Sequence, residues 1–92
     1  RYGRLRLKFL KEEMKPVYTK MLMEDTLTNY LLEVDARAID MENMLINEMK
    51  KYQNIDEKLK EKDQIKWVGA MNMIAYSARE MVLGKCINTY NI

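Results

Sequence analysis

The sequence predicts an all-α protein: a long antiparallel helical hairpin with two short N-terminal helices packed on it, forming a single helical domain over residues 1–92. Three observations support this fold class. Apolar residues recur at three- and four-residue steps along most of the chain, which is the spacing of one face of a helix. Only three glycines and one proline are present, too few for the turns of a β-sandwich or barrel. A hydrophobic fraction of 48% excludes a disordered chain.

The first two helices are short and meet at a proline. Apolar residues at helical spacing predict a helix over residues 4–13. Pro16 lacks a backbone N–H, so it ends that helix and suits the start of a second one over residues 16–23. The acidic and hydroxyl side chains of residues 24–26 then predict a break and a cap for the next helix.

The hairpin consists of two long helices joined by a short turn. The first is predicted over residues 27–53 from an apolar stripe in steps of three and four, formed by Leu27, Leu31, Val34, Ala38, Met41, Leu45, Met49 and Tyr52. Asn54 and Glu57 resemble a capping box at the turn. The second is predicted over residues 56–83, with Gly84 in a left-handed position after its end.

The second long helix is apolar on all sides between Ile65 and Leu83, so it must be covered on several sides. We expect Trp67 to pack in the seam of the hairpin. The short N-terminal helices would cover part of the remaining surface, and a second copy of the chain or a target protein would cover the rest. Either self-association, with a homodimer as one possible form, or binding of a protein partner is therefore expected.

The chain lacks the residues that enzymes use most. It contains no histidine, one serine (Ser77) and one cysteine (Cys86), so neither nucleophile has the usual base to activate it. No glycine-rich phosphate loop is present. We therefore expect no enzymatic activity, no cofactor, no metal and no small-molecule substrate. A single cysteine allows no intrachain disulfide, which favours a cytoplasmic location, and no stretch is long enough to predict a membrane span.

Charge is segregated along the chain, although the net charge is only +2. Residues 1–20 carry +5 and residues 24–42 carry −5. The basic segment is a candidate for phosphate contacts, with an aromatic ring able to stack on a base, through Arg1, Tyr2, Arg4, Arg6, Lys8 and Lys11. Alternatively, the basic segment folds onto the acidic helix of its own chain.

Three segments together resemble one known family. In order and spacing, "RYGRLRLKFLKEE", "LLEVDARA" and "DQIKWVGAMNMIAYSAREMV" are similar to the TnpV family of bacterial mobile elements, over nearly the whole chain. The resemblance implies a small accessory product of transposons without an established catalytic activity. Members carry further residues before the "YGR" segment. Since this sequence begins at Arg1 rather than Met, we expect it to be the C-terminal part of a longer chain.

The sequence departs from the family at two places. Members often have a Ser-Gly turn where this chain has Glu24-Asp25, and arginines where this chain has Ala70 and Ala75. The second difference weakens a role for the last helix in nucleic-acid binding and leaves the N-terminal basic helix as the candidate.

Two functions are compatible with the sequence. In the first, the protein is a nucleic-acid-associated accessory factor for excision, transfer or regulation of a mobile element, and its partner is DNA. In the second, it inhibits a host defence nuclease in the manner of an anti-CRISPR protein, and its partner is that nucleic-acid-binding protein. The second would use an acidic helix face as a phosphate mimic, formed by Glu24, Asp25, Glu33, Asp35, Asp40 and Glu42.

Overall fold

The computed structural model describes residues 1–92 and contains helices without any strand, which confirms the all-α fold class. Five α-helices are followed by one π-helical segment. In chain order these are α1 (Tyr2–Glu13), α2 (Lys15–Met23), α3 (Leu27–Tyr52), α4 (Glu57–Lys62), α5 (Gln64–Val82) and the π-helical segment (Leu83–Ile87).

The breaks between the first three helices lie where the sequence predicts them. Met14 leaves the helical conformation between α1 and α2, and Pro16 occupies the first turn of α2, where a missing N–H costs no hydrogen bond. Asp25 has a left-handed φ of 59°, which ends α2. Thr26 precedes α3, but its hydroxyl donates back to the carbonyl of Met21 and does not cap α3.

The turn of the hairpin is confirmed, but its predicted cap is wrong. Asn54 has a left-handed φ of 57°, a conformation that asparagine tolerates better than most residues. The carboxylate that caps α4 belongs to Asp56, whose Oδ1 accepts the backbone N–H of Leu59 at 3.0 Å. Asn54 therefore makes the turn, and the predicted capping box with Glu57 is not formed.

The second arm of the hairpin is two helices rather than the predicted single helix over residues 56–83. Asp63 leaves the helical conformation between α4 and α5, and its Oδ1 accepts the backbone N–H of Lys66 at 3.1 Å. An aspartate that caps a new helix in this way interrupts the preceding one. The end is also corrected, because Gly84 has no positive φ and the chain continues through the π-helical segment.

The core is small and lies where α1, α3 and the end of α5 meet. Only 11 of the 92 residues are buried, and the central cluster comprises Tyr2, Val34, Ala38, Val82 and Ile87. Two predicted core positions differ from expectation. Tyr52 is 89% exposed, since the stripe of α3 runs past the end of its partner helix, and Trp67 is only half-buried.

The packing of the helices leaves much of α5 open. α5 packs on α3, α4 and the π-helical segment, whereas α1 and α2 pack on α3, and α1 also packs on the π-helical segment. α1 reaches only the end of α5, where Tyr2 and Val82 belong to the same core cluster, and α2 packs on α1 and α3. The N-terminal helices therefore cover α5 only at its end. The result is an elongated molecule of 56 × 19 × 17 Å.

Candidate nucleic-acid interface

Three cationic side chains share the outer face of α1. Arg4, Lys8 and Lys11 are spaced by four and three residues, which places them on one side of a helix, and all three are exposed. None of them forms an ion pair, since Arg1 provides the cation of both salt bridges in the structure. Lys11 Nζ lies 5.7 Å from the centroid of the Tyr18 ring on α2. We call Arg4, Lys8 and Lys11 the basic face.

A fourth cation lies close to the basic face, and sequence reasoning missed it. A groove of about 320 Å³ between α1 and the end of α5 is lined by both Lys8 and Arg79, and also by Glu12. Arg79 is exposed on α5, 71 positions after Lys8 in the chain. Only the packing of α1 against the π-helical segment brings these two side chains to one groove, and no local pattern in the sequence indicates it.

The structure corrects the expectation for Arg6, which is fully buried and therefore unavailable to phosphates. Its Nη1 donates to the carbonyls of Ile87 at 2.8 Å and Thr89 at 2.6 Å, and its Nη2 donates to that of Asn91 at 3.0 Å. Its Nε donates to the hydroxyl of Tyr30 at 3.0 Å. The carbonyl of Ile87 ends the π-helical segment and carries the partial negative charge of a helix C-terminus, and the carbonyls of Thr89 and Asn91 add two more acceptors. Together they solvate the buried guanidinium. Arg6 thus fastens the C-terminal residues to α1.

Tyr2 is also fully buried and cannot stack on a base. Its hydroxyl donates a hydrogen bond to the carboxylate of Glu42, which also pairs with Arg1 Nη2 at 2.5 Å. The guanidinium of Arg1 lies 4.7 Å from the centroid of the Tyr2 ring. Burial, followed by the bond to Glu42, raises the pKa of the Tyr2 hydroxyl. These three side chains attach the start of α1 to α3, and Arg1 is not a free cation.

Asp35 caps α1 from a different helix. Its Oδ1 accepts the backbone N–H groups of Tyr2 at 2.8 Å and Gly3 at 3.0 Å, and lies 3.4 Å from the nitrogen of Arg1. The first N–H groups of a helix have no partner within it, so this carboxylate satisfies two of them. The bond from Gly3 is the largest cause that lowers the pKa of the Asp35 carboxyl. The segregated charges therefore meet in part within the chain, through Asp35 and Glu42.

The other four acidic candidates are exposed and do not form one surface with Asp35 and Glu42. Glu24 and Asp25 lie at the turn before α3. Glu33 and Asp40 are seven residues apart on α3, on a different side of the helix from Asp35 and Glu42. The six carboxylates are thus divided among a turn and two sides of α3, and two of them are already bonded to α1.

No group of three or more acidic or cysteine side chains is arranged to hold a metal ion. No helix combines the length and the apolar character needed to cross a lipid bilayer.

The comparison with protein families agrees with the resemblance seen in the sequence. The family described as "Transposon-encoded protein TnpV" matches residues 1–87, which is nearly the whole chain. No curated protein and no solved structure matches the chain significantly. The match includes both α1 with its basic face and α5 with Arg79. On this evidence the chain belongs to the TnpV family of transposon-encoded proteins.

Proposed function

We propose that the protein is an accessory factor of a mobile element, and that it binds nucleic acid through the basic face of α1. The observation that carries the proposal is the state of the cations on α1. Arg6 is buried in the core, and Arg1 forms an ion pair with Glu42. Arg4, Lys8 and Lys11 are exposed and have no ionic partner. Unpaired cations on one face are typical of a surface that contacts phosphates.

The geometry of the basic face suits a phosphate backbone. Arg4 and Lys11 are seven residues apart, so their backbone positions differ by about 10 Å along the helix axis. That distance is about the axial rise of three phosphates in one DNA strand. Arg79 would add a contact from the side, across the groove that it shares with Lys8. With three or four phosphate contacts and no base-reading side chain among them, the expected binding is independent of base sequence.

Family membership supports the biological setting of the proposal. The family is transposon-encoded, and a mobile element needs proteins that assist the cutting, joining, transfer or transcription of its DNA. Binding without sequence preference would suit a factor that assists excision, transfer or regulation while another protein recognises the ends.

The direct test compares two triple variants by fluorescence anisotropy, with a labelled duplex and a labelled single strand as probes. Replacing the basic face (Arg4→Gln, Lys8→Gln, Lys11→Gln) should weaken binding at least tenfold at about 50 mM salt, because three phosphate contacts are lost. The control replaces three exposed lysines elsewhere (Lys51→Gln, Lys58→Gln, Lys62→Gln) and changes the net charge by the same amount. It should weaken binding much less.

Failure of the parent protein to bind either probe would overturn the proposal, as would an equal loss in the two variants. The second hypothesis, inhibition of a defence nuclease, would then take precedence. Its acidic candidates are divided among three places, so its test is the capture of one host protein that resists nuclease treatment and is lost on replacing Glu33 and Asp40.

A further inference from the structure

One face of α5 is uncovered and carries large apolar side chains. Met73 is 67% exposed and Tyr76 is 62% exposed, although both lie in the middle of a 19-residue helix. Ile74 and Ala78 are buried on the opposite side of α5, and α5 packs on α3. A hypothetical Cβ atom at Gly69 would meet no atom within 4 Å, so the face is open there as well.

The exposed residues of this face form a regular strip. Its members are spaced by three, four, three and four residues, and all are exposed: Lys66, Gly69, Met73, Tyr76 and Glu80. This is the spacing of the contact positions in a coiled coil. The strip is basic at its N-terminal end, small or apolar in the middle and acidic at its C-terminal end. We call it the α5 strip.

We propose that the α5 strip pairs with the same strip of a second copy of the chain, in antiparallel orientation. A two-fold axis near residue 71 would place Gly69 opposite Met73 of the other copy, and Lys66 opposite Tyr76. Glycine leaves room for the methionine side chain, and a lysine over a tyrosine ring is a favourable cation–π pair. Each pair occurs twice, as a two-fold interface requires.

The charges of the strip favour this orientation over the parallel one. In the antiparallel pair, Glu80 lies one helical turn, about 6 Å, beyond the level of Lys66 of the other copy, within reach of a lysine side chain. Two ion pairs would therefore form, one at each end. A parallel pair would instead place Lys66 beside Lys66 and Glu80 beside Glu80. Two copies of the α5 strip are thus complementary in charge only in the antiparallel orientation.

The exposed area of the chain is large enough for such an interface. The accessible surface is 6833 Å², whereas a compact monomer of 11.0 kDa exposes about 5,600 Å² by the usual scaling with mass. The difference exceeds the roughly 800 Å² per partner that a standard protein interface buries. The excess arises from the elongated shape, in which α5 has no neighbour on its outer side.

The first test is sedimentation of the parent protein at about 10–100 µM, a range suited to an interface of this size. A dimer is expected. Met73→Glu should convert it to a monomer, because a charge would be buried at the axis, and circular dichroism should show unchanged helicity since Met73 is exposed. Tyr52→Glu is the control, since Tyr52 is exposed outside the strip, and it should remain dimeric. A monomeric parent, or a dimer that survives Met73→Glu, would overturn the proposal.

A second test uses the ion pairs and does not depend on the folding of the first variant. Lys66→Glu alone and Glu80→Lys alone should each weaken the dimer, because each opposes like charges at both ends. The double variant should recover the parent dissociation constant within a few fold, as should an equal mixture of the two single variants. Recovery in the mixture without recovery in the double variant would indicate a parallel pair and contradict the proposed orientation.

Discussion

Replacing Arg6 by methionine removes the contacts that hold the C-terminal residues of the chain on α1. Arg6 donates four hydrogen bonds, to three backbone carbonyls and the hydroxyl of Tyr30. Methionine fills a similar volume and also removes the desolvation cost of the guanidinium, so the loss is smaller than the sum of four charged hydrogen bonds. The carbonyl of Ile87 belongs to a buried residue, and leaving such a group without a donor costs about 1–3 kcal/mol.

Adding the loss of contacts made by residues 88–92, such as that of the Tyr90 ring with the Phe9 ring, we expect Arg6→Met to lower the free energy of unfolding by about 2–4 kcal/mol, a large share of the 5–15 kcal/mol typical of small domains. For a chain of this length each kcal/mol corresponds to about 4–8 °C in melting temperature, so the decrease should be at least about 8 °C by calorimetry or circular dichroism. Arg4→Met is the matched control on the same helix. Because Arg4 is exposed, its replacement should change the free energy of unfolding by less than about 0.5 kcal/mol. A melting temperature of Arg6→Met equal to that of Arg4→Met would refute the structural role of Arg6.

Three further changes probe other parts of the fold. The pKa of the Asp35 carboxyl is lowered in the folded state, chiefly by the backbone N–H of Gly3. Its stabilising effect is therefore complete above the unfolded-state pKa of about 3.9 and is lost as the pH falls through the lower folded-state pKa. Because Asp35→Asn removes this titration, the melting temperature of the variant should fall less than that of the parent on acidification below about pH 4. Truncation after Asn88 removes two of the carbonyls that Arg6 binds and should lower the melting temperature less than Arg6→Met does. A larger decrease would mean that other contacts of residues 89–92 contribute more to stability than their bonds to Arg6. Trp67→Ala should lower the free energy of unfolding by less than the roughly 3–5 kcal/mol lost on truncating a fully buried tryptophan, since Trp67 is half-buried. A larger decrease, measured by urea denaturation, would contradict the placement of its ring.

The helices themselves could be predicted because their causes are local. The apolar steps of three and four residues indicate α3 almost to its last residue, and Pro16 marks the start of α2. The split at Asp63 was missed because the apolar pattern continues on both sides of it. A signal was nevertheless present, since aspartate is a common capping residue and can begin a new helix inside an apparently continuous one.

The candidate site was harder to predict, because burial depends on packing between distant elements. Arg6 resembles its basic neighbours in composition, but it lies four residues from both Tyr2 and Leu10, which are buried. That spacing places Arg6 on the inner face, but the burial of Tyr2 that defines this face follows from packing and not from the sequence. The three carbonyl partners of Arg6, more than 80 positions away along the chain, could not be identified from the sequence. The position of Arg79 beside the basic face could not be predicted either, because it also depends on packing between distant elements.

The dependence of duplex binding on salt tests the central claim most directly. If Arg4, Lys8 and Lys11 each neutralise a phosphate, log K should fall against log salt with a slope of about −3, or about −4 with Arg79 included. Replacing all three by glutamine should bring the slope of the variant close to zero, or to about −1 if Arg79 still binds, with helicity unchanged. A parent protein whose binding is insensitive to salt, or a variant that retains the parent slope, would contradict the assignment of the basic face of α1 as the nucleic-acid interface.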